Sequence, residues 1–161
     1  MRKWLTLLIA TFLMGVVYGQ EIRKVKITEV AKIIAESKTP LVVNMWATWC
    51  GPCVAELPYF IKEVKENHKD SIGLLLVSLD FKESFPDAMK TFMQKRKINA
   101  PTLWLDETNA DYFCPMIDPK WQGGLPATLF IDNKTGYRKF FEERISHDDL
   151  KKEIMALLEN H

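Results

Sequence analysis

Apolar positions in this chain fall into short blocks whose internal spacing switches between an extended and a helical period. Ile22 to Ile27 alternates weakly and predicts an edge strand; Thr28 is then placed to cap a short helix carrying Val30, Ile33 and Ile34. Pro40 ends that stretch. Leu41 to Trp46 is a compact apolar run interrupted only by Asn44, which predicts a central buried strand. Beyond it Val54, Leu57, Ile61 and Val64 recur at helical spacing with Lys62, Glu63, Lys65 and Glu66 between them, so an amphipathic helix starts near Pro52. Pro58 lies inside that helix and should kink or interrupt it.

The second half repeats the alternation. Ile72 to Leu79 is apolar enough for a strand covered on both faces. Ser84, with Asp87 three residues on, predicts a capped helix whose stripe is Phe85, Met89, Phe92 and Met93. Thr102 to Leu105 is a short strand. Asp106 to Gly124 is too long for a tight loop and carries Tyr112, Phe113, Cys114 and Trp121, so it should hold one short helix and a packed remainder. Ala127 to Asp132 and Tyr137 to Glu142 pair as a hairpin through Asn133-Lys134-Thr135-Gly136, and Ser146 caps a last helix burying Leu150, Ile154 and Leu157. The order predicts an α/β fold, a mixed central sheet with helices on both faces.

Composition narrows the class. The chain has 161 residues, 47% apolar and 27% charged, which suits one packed domain. A formal charge of +1 offers no broad attraction to nucleic acid. Residues 1–19 read as a secretory signal: Arg2 and Lys3 give a basic start, residues 5–17 are apolar, and Gly19 closes the run ahead of Gln20. Losing Arg2 and Lys3 would take the formal net from +1 to −1. The alternative is an uncleaved membrane anchor with Trp4 and Tyr18 at the interfaces, although the run falls short of the roughly 18 to 20 residues that span a bilayer. In either case residues 20–161 form the domain, on the exported, periplasmic side where disulfide chemistry is allowed.

Cys50 and Cys53 sit at a strand-to-helix junction, two residues apart. One helical turn brings both sulfurs to the same end, close enough to bridge. Cys50 precedes the helix, where unpaired N–H groups and the positive end of the dipole favour a thiolate, so it is the attacking sulfur and Cys53 the resolving one. The competing readings are an inert disulfide or half of a zinc site. A zinc site lacks its further ligands, because no second Cys-x-x-Cys exists and His68, His147 and His161 are scattered. The exchange requires no cofactor and no metal. Cys114 is either a buried small hydrophobe or a third redox site.

Trp46-Ala47-Thr48-Trp49-Cys50-Gly51-Pro52-Cys53 resembles the active-site segment of the thioredoxin superfamily, Leu125-Pro126-Ala127-Thr128 resembles its cis-proline segment, and Pro58 matches its helix-kinking proline. The export signal, Asn44 and Glu56-Leu57-Pro58 make the chain more similar to the exported TlpA/ResA-type branch. The resemblance covers roughly Pro40 to Leu158. It implies a thioredoxin-like fold and a cis peptide before Pro126, with the Leu125 backbone facing Cys50 and pairing with an extended substrate. Gly51 and Pro52 join this substrate-binding set. Trp49 either flanks the sulfur as a contact surface or serves packing alone.

Asn44 stands where cytosolic thioredoxins carry a buried, proton-moving Asp, and an amide is no base at neutral pH. The exported branch uses a Glu three residues after the second cysteine, which Glu56 matches. If it is buried, its pKa should rise toward that of a working base; the competing reading is a solvent-facing acid at a helix N-terminus. The resemblance implies a monomeric thiol-disulfide oxidoreductase that reduces disulfides in exported proteins such as apocytochrome c, with a membrane-embedded thiol electron donor. The rivals are a copper or zinc metallochaperone, which would want a further soft ligand, and a thiol peroxidase, whose motif would place Thr where Ala47 stands.

Overall fold

The computed structural model describes residues 21–67, 71–159 and 161, so the predicted export signal lies outside the described residues. The elements in chain order are β1 (Arg23–Val25), α1 (Ile27–Glu36), β2 (Leu41–Trp46), α2 (Gly51–Phe60), β3 (Gly73–Ser78), α3 (Asp87–Arg96), β4 (Thr102–Leu105), α4 (Ala110–Ile117), β5 (Ala127–Asp132), β6 (Tyr137–Phe141) and α5 (His147–Glu159). They build one six-stranded sheet in the order β1-β4-β3-β2-β5-β6. The first four strands in that order run parallel, and β5 and β6 add the antiparallel edge.

The sheet is mixed because β2 is paired on both sides with opposite senses, parallel to β3 and antiparallel to β5. Pleating then sends alternate β2 residues to opposite faces. Val42 and Trp46 enter a core with Leu57 and Phe60 of α2, Met89 and Met93 of α3, and Leu150, Ile154 and Leu157 of α5. Val43 and Met45 enter the other core, with Val30 of α1 and Phe113 and Ile117 of α4. Helices therefore cover both faces. Burying each large apolar side chain here contributes about 1.5–3 kcal/mol, so the two cores together fix the ends of β2 and α2 that carry the cysteines.

Two local expectations are corrected, and a third, at Pro58, takes a particular form. Helix α1 begins at Ile27 after an N-cap Lys26 that makes no side-chain cap bond, so Thr28 lies inside the helix rather than capping it. Ser84 belongs to a 3-10 turn, Lys82–Ser84, and α3 starts only at Asp87 after Pro86. Phe85, held extended at φ −87° and ψ 135°, precedes a proline that disfavours the helical region, and this postpones the helix. Pro58 does not break its helix at once. Ile61 N–H reaches the carbonyls of both Leu57 and Pro58, and the chain widens into a π-helical segment, Ile61–Asn67. Ser146 does cap α5, its Oγ accepting the Asp149 N–H at 3.1 Å. The long connection after β4 holds the single helix α4, with Trp121 buried in the remainder.

Candidate active site

Strand β2 ends at Trp46, and the chain turns through Ala47-Thr48-Trp49 before α2 begins at Gly51. Cys50 is the N-cap of α2, with extended backbone, and Pro52 sits in the first turn where its missing N–H costs nothing. Cys50 and Cys53 form a disulfide with their Cα atoms 5.3 Å apart. The Cys53 N–H donates to Cys50 Sγ at 3.3 Å, so the sulfur occupies the place that an oxygen holds in an ordinary N-cap. A negative charge on that sulfur would meet the unpaired N–H groups of the first turn. Cys50 keeps 6% of its surface exposed and Cys53 none, which matches the roles of outer and shielded sulfur.

Glu56, one turn beyond Cys53, is completely buried. Its Oε1 accepts from Asn44 Nδ2 at 2.7 Å, and its Oε2 accepts from the Ile145 N–H at 3.2 Å. Burial raises its pKa from 4.5 to about 7, against the lowering influence of those two hydrogen bonds and of Arg144. The solvent-facing alternative is thereby excluded. Asn44 reaches Glu56 because its alternation along β2 points it to the α2 face, and the register sets Thr128 of β5 directly opposite. Asn44 Nδ2 also donates to Thr128 Oγ1 at 3.0 Å.

The Leu125–Pro126 peptide is cis, as is Phe85–Pro86. Because Ala127 pairs with Met45, Leu125 and Pro126 continue past the end of β5 that lies beside the exit of β2. Leu125 is half-buried against the core cluster that contains Cys50 and Cys53. The approach to this segment is tied down from elsewhere. The Glu142 carboxylate accepts the Gln122 N–H at 2.9 Å and the Gly124 N–H at 2.6 Å, and Trp121 Nε1 donates to the Gly124 carbonyl at 2.9 Å. Gly124 lets the carboxylate approach, since a Cβ would stand 2.8 Å from Glu142 Oε1 and push that side chain aside.

Trp49 is 54% exposed and Phe81 65% exposed, and their rings stack with centroids 5.7 Å apart. Asp80, beside Phe81 and buried, accepts the Thr48 N–H at 3.1 and 3.2 Å, the Thr48 hydroxyl, and the Ser78 hydroxyl at 2.7 Å. Asp80, Phe81 and Glu142 carried no functional signal in the sequence pattern, and Thr128 entered only as the last residue of the cis-proline segment. Each acts through a contact far away along the chain, whereas the cysteine spacing is local.

Cys114 lies 3% exposed in α4, within the core on the sheet face opposite that of Cys50 and Cys53. Burial, with nearby Glu142 and Asp111, pushes its thiol up to about 11. That environment suits a small hydrophobe and disfavours a third redox thiol. Among the described residues no group of three or more His, Cys, Asp and Glu side chains is arranged to hold a metal.

Comparison with known proteins agrees with this geometry. The profile of the AhpC/TSA family matches residues 17–137. The thiol:disulfide interchange protein DsbE of Haemophilus influenzae is 32% identical over 102 residues, 59% of this chain and 46% of that protein. The sporulation thiol-disulfide oxidoreductase A of Bacillus subtilis is 27% identical over 92 residues, 57% of this chain and 50% of that protein. The chain spans about half the length of the curated relatives it matches. The crystal structure of a thioredoxin-related protein from Neisseria meningitidis superposes with a TM-score of 0.63 at 26% identity, covering 75% of this chain and 86% of that one. Motif, topology and profile converge, and the similarity to DsbE and to the sporulation oxidoreductase lies in the same direction: the chain belongs to the AhpC/TSA family, within the thioredoxin superfamily.

Proposed function

We propose that the protein is an exported thiol-disulfide oxidoreductase that reduces disulfides in extracytoplasmic proteins. The observation that carries this reading is a disulfide whose outer sulfur caps a helix, with a buried carboxylate of pKa about 7 one turn beyond the inner sulfur. The names of the curated relatives support the reaction class, and the pattern of residues 1–19 supports export.

In the reduced protein the Cys50 thiolate attacks one sulfur of a substrate disulfide. A Cys50–substrate disulfide forms, and the second substrate sulfur leaves as a thiolate that takes a proton. The Cys53 thiol gives its proton to Glu56 and attacks Cys50 Sγ; the Cys50–Cys53 bond forms and the remaining substrate sulfur departs with both electrons. The substrate gains two electrons and two protons. An external dithiol, in our reading a membrane-embedded donor, then returns the pair to the reduced state. Trp49, Gly51, Pro52, Leu125 and Pro126 line the approach, and the Leu125 backbone supplies edge hydrogen bonds to an extended substrate.

The reducing direction rests on the Gly51-Pro52 pair, shared with thioredoxin, whose potential is about −270 mV against about −120 mV for a strong oxidant. The test is a Cys53→Ser variant, which cannot resolve the intermediate. It should accumulate covalent adducts through Cys50 with exported proteins, and the wild-type pair should equilibrate with a glutathione buffer as a reductant. An absence of adducts in well-expressed protein contradicts exchange, and a potential near that of the strong oxidant reverses the direction.

A further inference from the structure

A seam runs between α2 with its π-helical continuation and α3, and it begins at Trp49 and Gly51, the residues that flank Cys50 in the chain. Its first part is a hollow of about 450 Å³ with Trp49, Val54, Pro58, Phe92 and Arg96 in its wall. A second hollow of about 590 Å³ follows in the same direction, lined by Ile61, Lys65, Lys97 and Asn99. The head of the seam therefore carries aromatic and apolar side chains together with Arg96, with Phe81 stacked on Trp49 at its rim, and its far part is basic. Among the described residues no carboxylate lines either hollow. Among the described residues Arg96, Lys65 and Lys97 form no ion pair; Arg96 lies 5.6 Å above the Phe92 ring and Lys65 donates to the Asn99 carbonyl.

We propose that this seam is a docking surface for an extended segment of the protein whose disulfide is being reduced, with a large apolar side chain next to its cysteine and carboxylates farther along. The proposal rests on the redox function above and specifies its substrate class. Two exposed aromatic rings in contact beside a reactive sulfur offer a flat surface that an apolar side chain can cover. Among the described residues three cations without an ion-pair partner, Arg96 in the first hollow and Lys65 and Lys97 in the second, leave the seam complementary to acid away from its aromatic rim. At about 1.5 Å per helical residue, Gly51 to Lys65 measures about 20 Å, the reach of about six extended residues. The carboxylates therefore belong four to six positions from the substrate cysteine. Asp80 supports the surface as a positioning residue, since its carboxylate holds Thr48 while the adjoining Phe81 holds Trp49.

The test uses the reduced protein and synthetic peptides, each with one cysteine in disulfide linkage to thionitrobenzoate. Attack by the Cys50 thiolate on the peptide sulfur forms the Cys50–peptide disulfide and expels thionitrobenzoate, whose absorbance is followed. One peptide carries Phe beside the cysteine and two Glu residues five positions away; a second replaces Glu by Lys, and a third replaces Phe by Ser. All are made in both chain directions, and every rate is divided by the same protein's rate with hydroxyethyl disulfide. The Phe/Glu peptide should react about tenfold faster than the Phe/Lys peptide in one direction, and 1 M NaCl should erase that ratio. Arg96→Glu should abolish or invert the ratio, and Phe81→Ala should bring the Phe and Ser peptides together. Equal rates for all peptides, or a Glu preference that Arg96→Glu leaves in place, overturns the docking surface while leaving the redox function standing. A wild-type protein inert to hydroxyethyl disulfide overturns both.

Discussion

Asn44 Nδ2 donates to Glu56 Oε1 at 2.7 Å, joining the central strand to the cysteine-bearing helix within the core. The other end of the same amide, Asn44 Oδ1, is buried without a hydrogen-bond partner among the described residues. A carboxylate needs a donor and a carboxylic acid needs an acceptor, and an amide that turns about its last torsion offers either one. Asn44 is no base itself, yet it is suited to serve Glu56 in both protonation states.

Proton transfer from Cys53 requires Glu56 ionised, so the resolving step should accelerate as pH rises through about 7 and level off above it. Glu56→Gln should remove that limb and slow resolution by about 10²-fold. Asn44→Ala deletes a hydrogen bond that lowers the Glu56 pKa, so it should move the limb to higher pH. Single-turnover thiol release across pH 5 to 9 checks all three. A limb that persists in Glu56→Gln assigns the proton transfer elsewhere.

The same shift links pH to stability. Folding raises the Glu56 pKa, so its burial costs nothing while the group is protonated in both states, below about 4.5. The cost grows as pH rises from there to about 7 and is constant above. The shift corresponds to about 3 kcal/mol. Glu56→Gln should therefore stabilise the oxidised protein at pH 8 by an amount of that order, and the gain should vanish toward pH 4. Guanidinium unfolding at the two pH values reads the difference.

Asp80 is predicted to be the most sensitive polar position near the site outside Glu56. Asp80→Ala would strand the Thr48 N–H and the Thr48 and Ser78 hydroxyls, all of which it now accepts. A loss of about 2–4 kcal/mol is expected. Thr48→Val, which keeps the backbone bond and loses only the hydroxyl, should cost about 1 kcal/mol. Urea unfolding of the two variants tests the order.

Glu142 fastens the segment ahead of Pro126 through the amides of Gln122 and Gly124. Glu142→Ala should speed hydrogen exchange at those two amides by about tenfold and leave the β2 amides unchanged, because the loss is local. Gly124→Ala should have the same effect, since its Cβ would displace the Glu142 carboxylate. Exchange measured by NMR distinguishes this loosening from general destabilisation.

Strand positions and the paired cysteines were legible because both are short-range signals: a run such as Leu41 to Trp46, or a spacing of two residues. Glu56 was legible only by resemblance, since nothing near it in sequence announces that Asn44 and the Ile145 N–H will enclose it. The helix starts at Thr28 and Ser84 misled for a local reason. Both are good capping residues, but Lys26 held the cap of α1 without a side-chain bond, and Pro86 withheld the helical conformation from Phe85. Asp80 and Phe81 were beyond reach because their partners Thr48 and Trp49 lie across the sheet end, a relation set by the β2–β3 pairing.

The central claim is that Cys50, capping α2 with the Cys53 N–H directed at its sulfur, is a thiolate more readily than an ordinary cysteine. Alkylation of the reduced protein by iodoacetamide over graded pH, with the modified residue read by mass spectrometry, measures this directly. Cys50 should be labelled first, with a midpoint clearly below that of a free cysteine run alongside and with Cys53 protected. A Cys50 midpoint coinciding with the free amino acid, or preferential labelling of Cys53, would contradict the account.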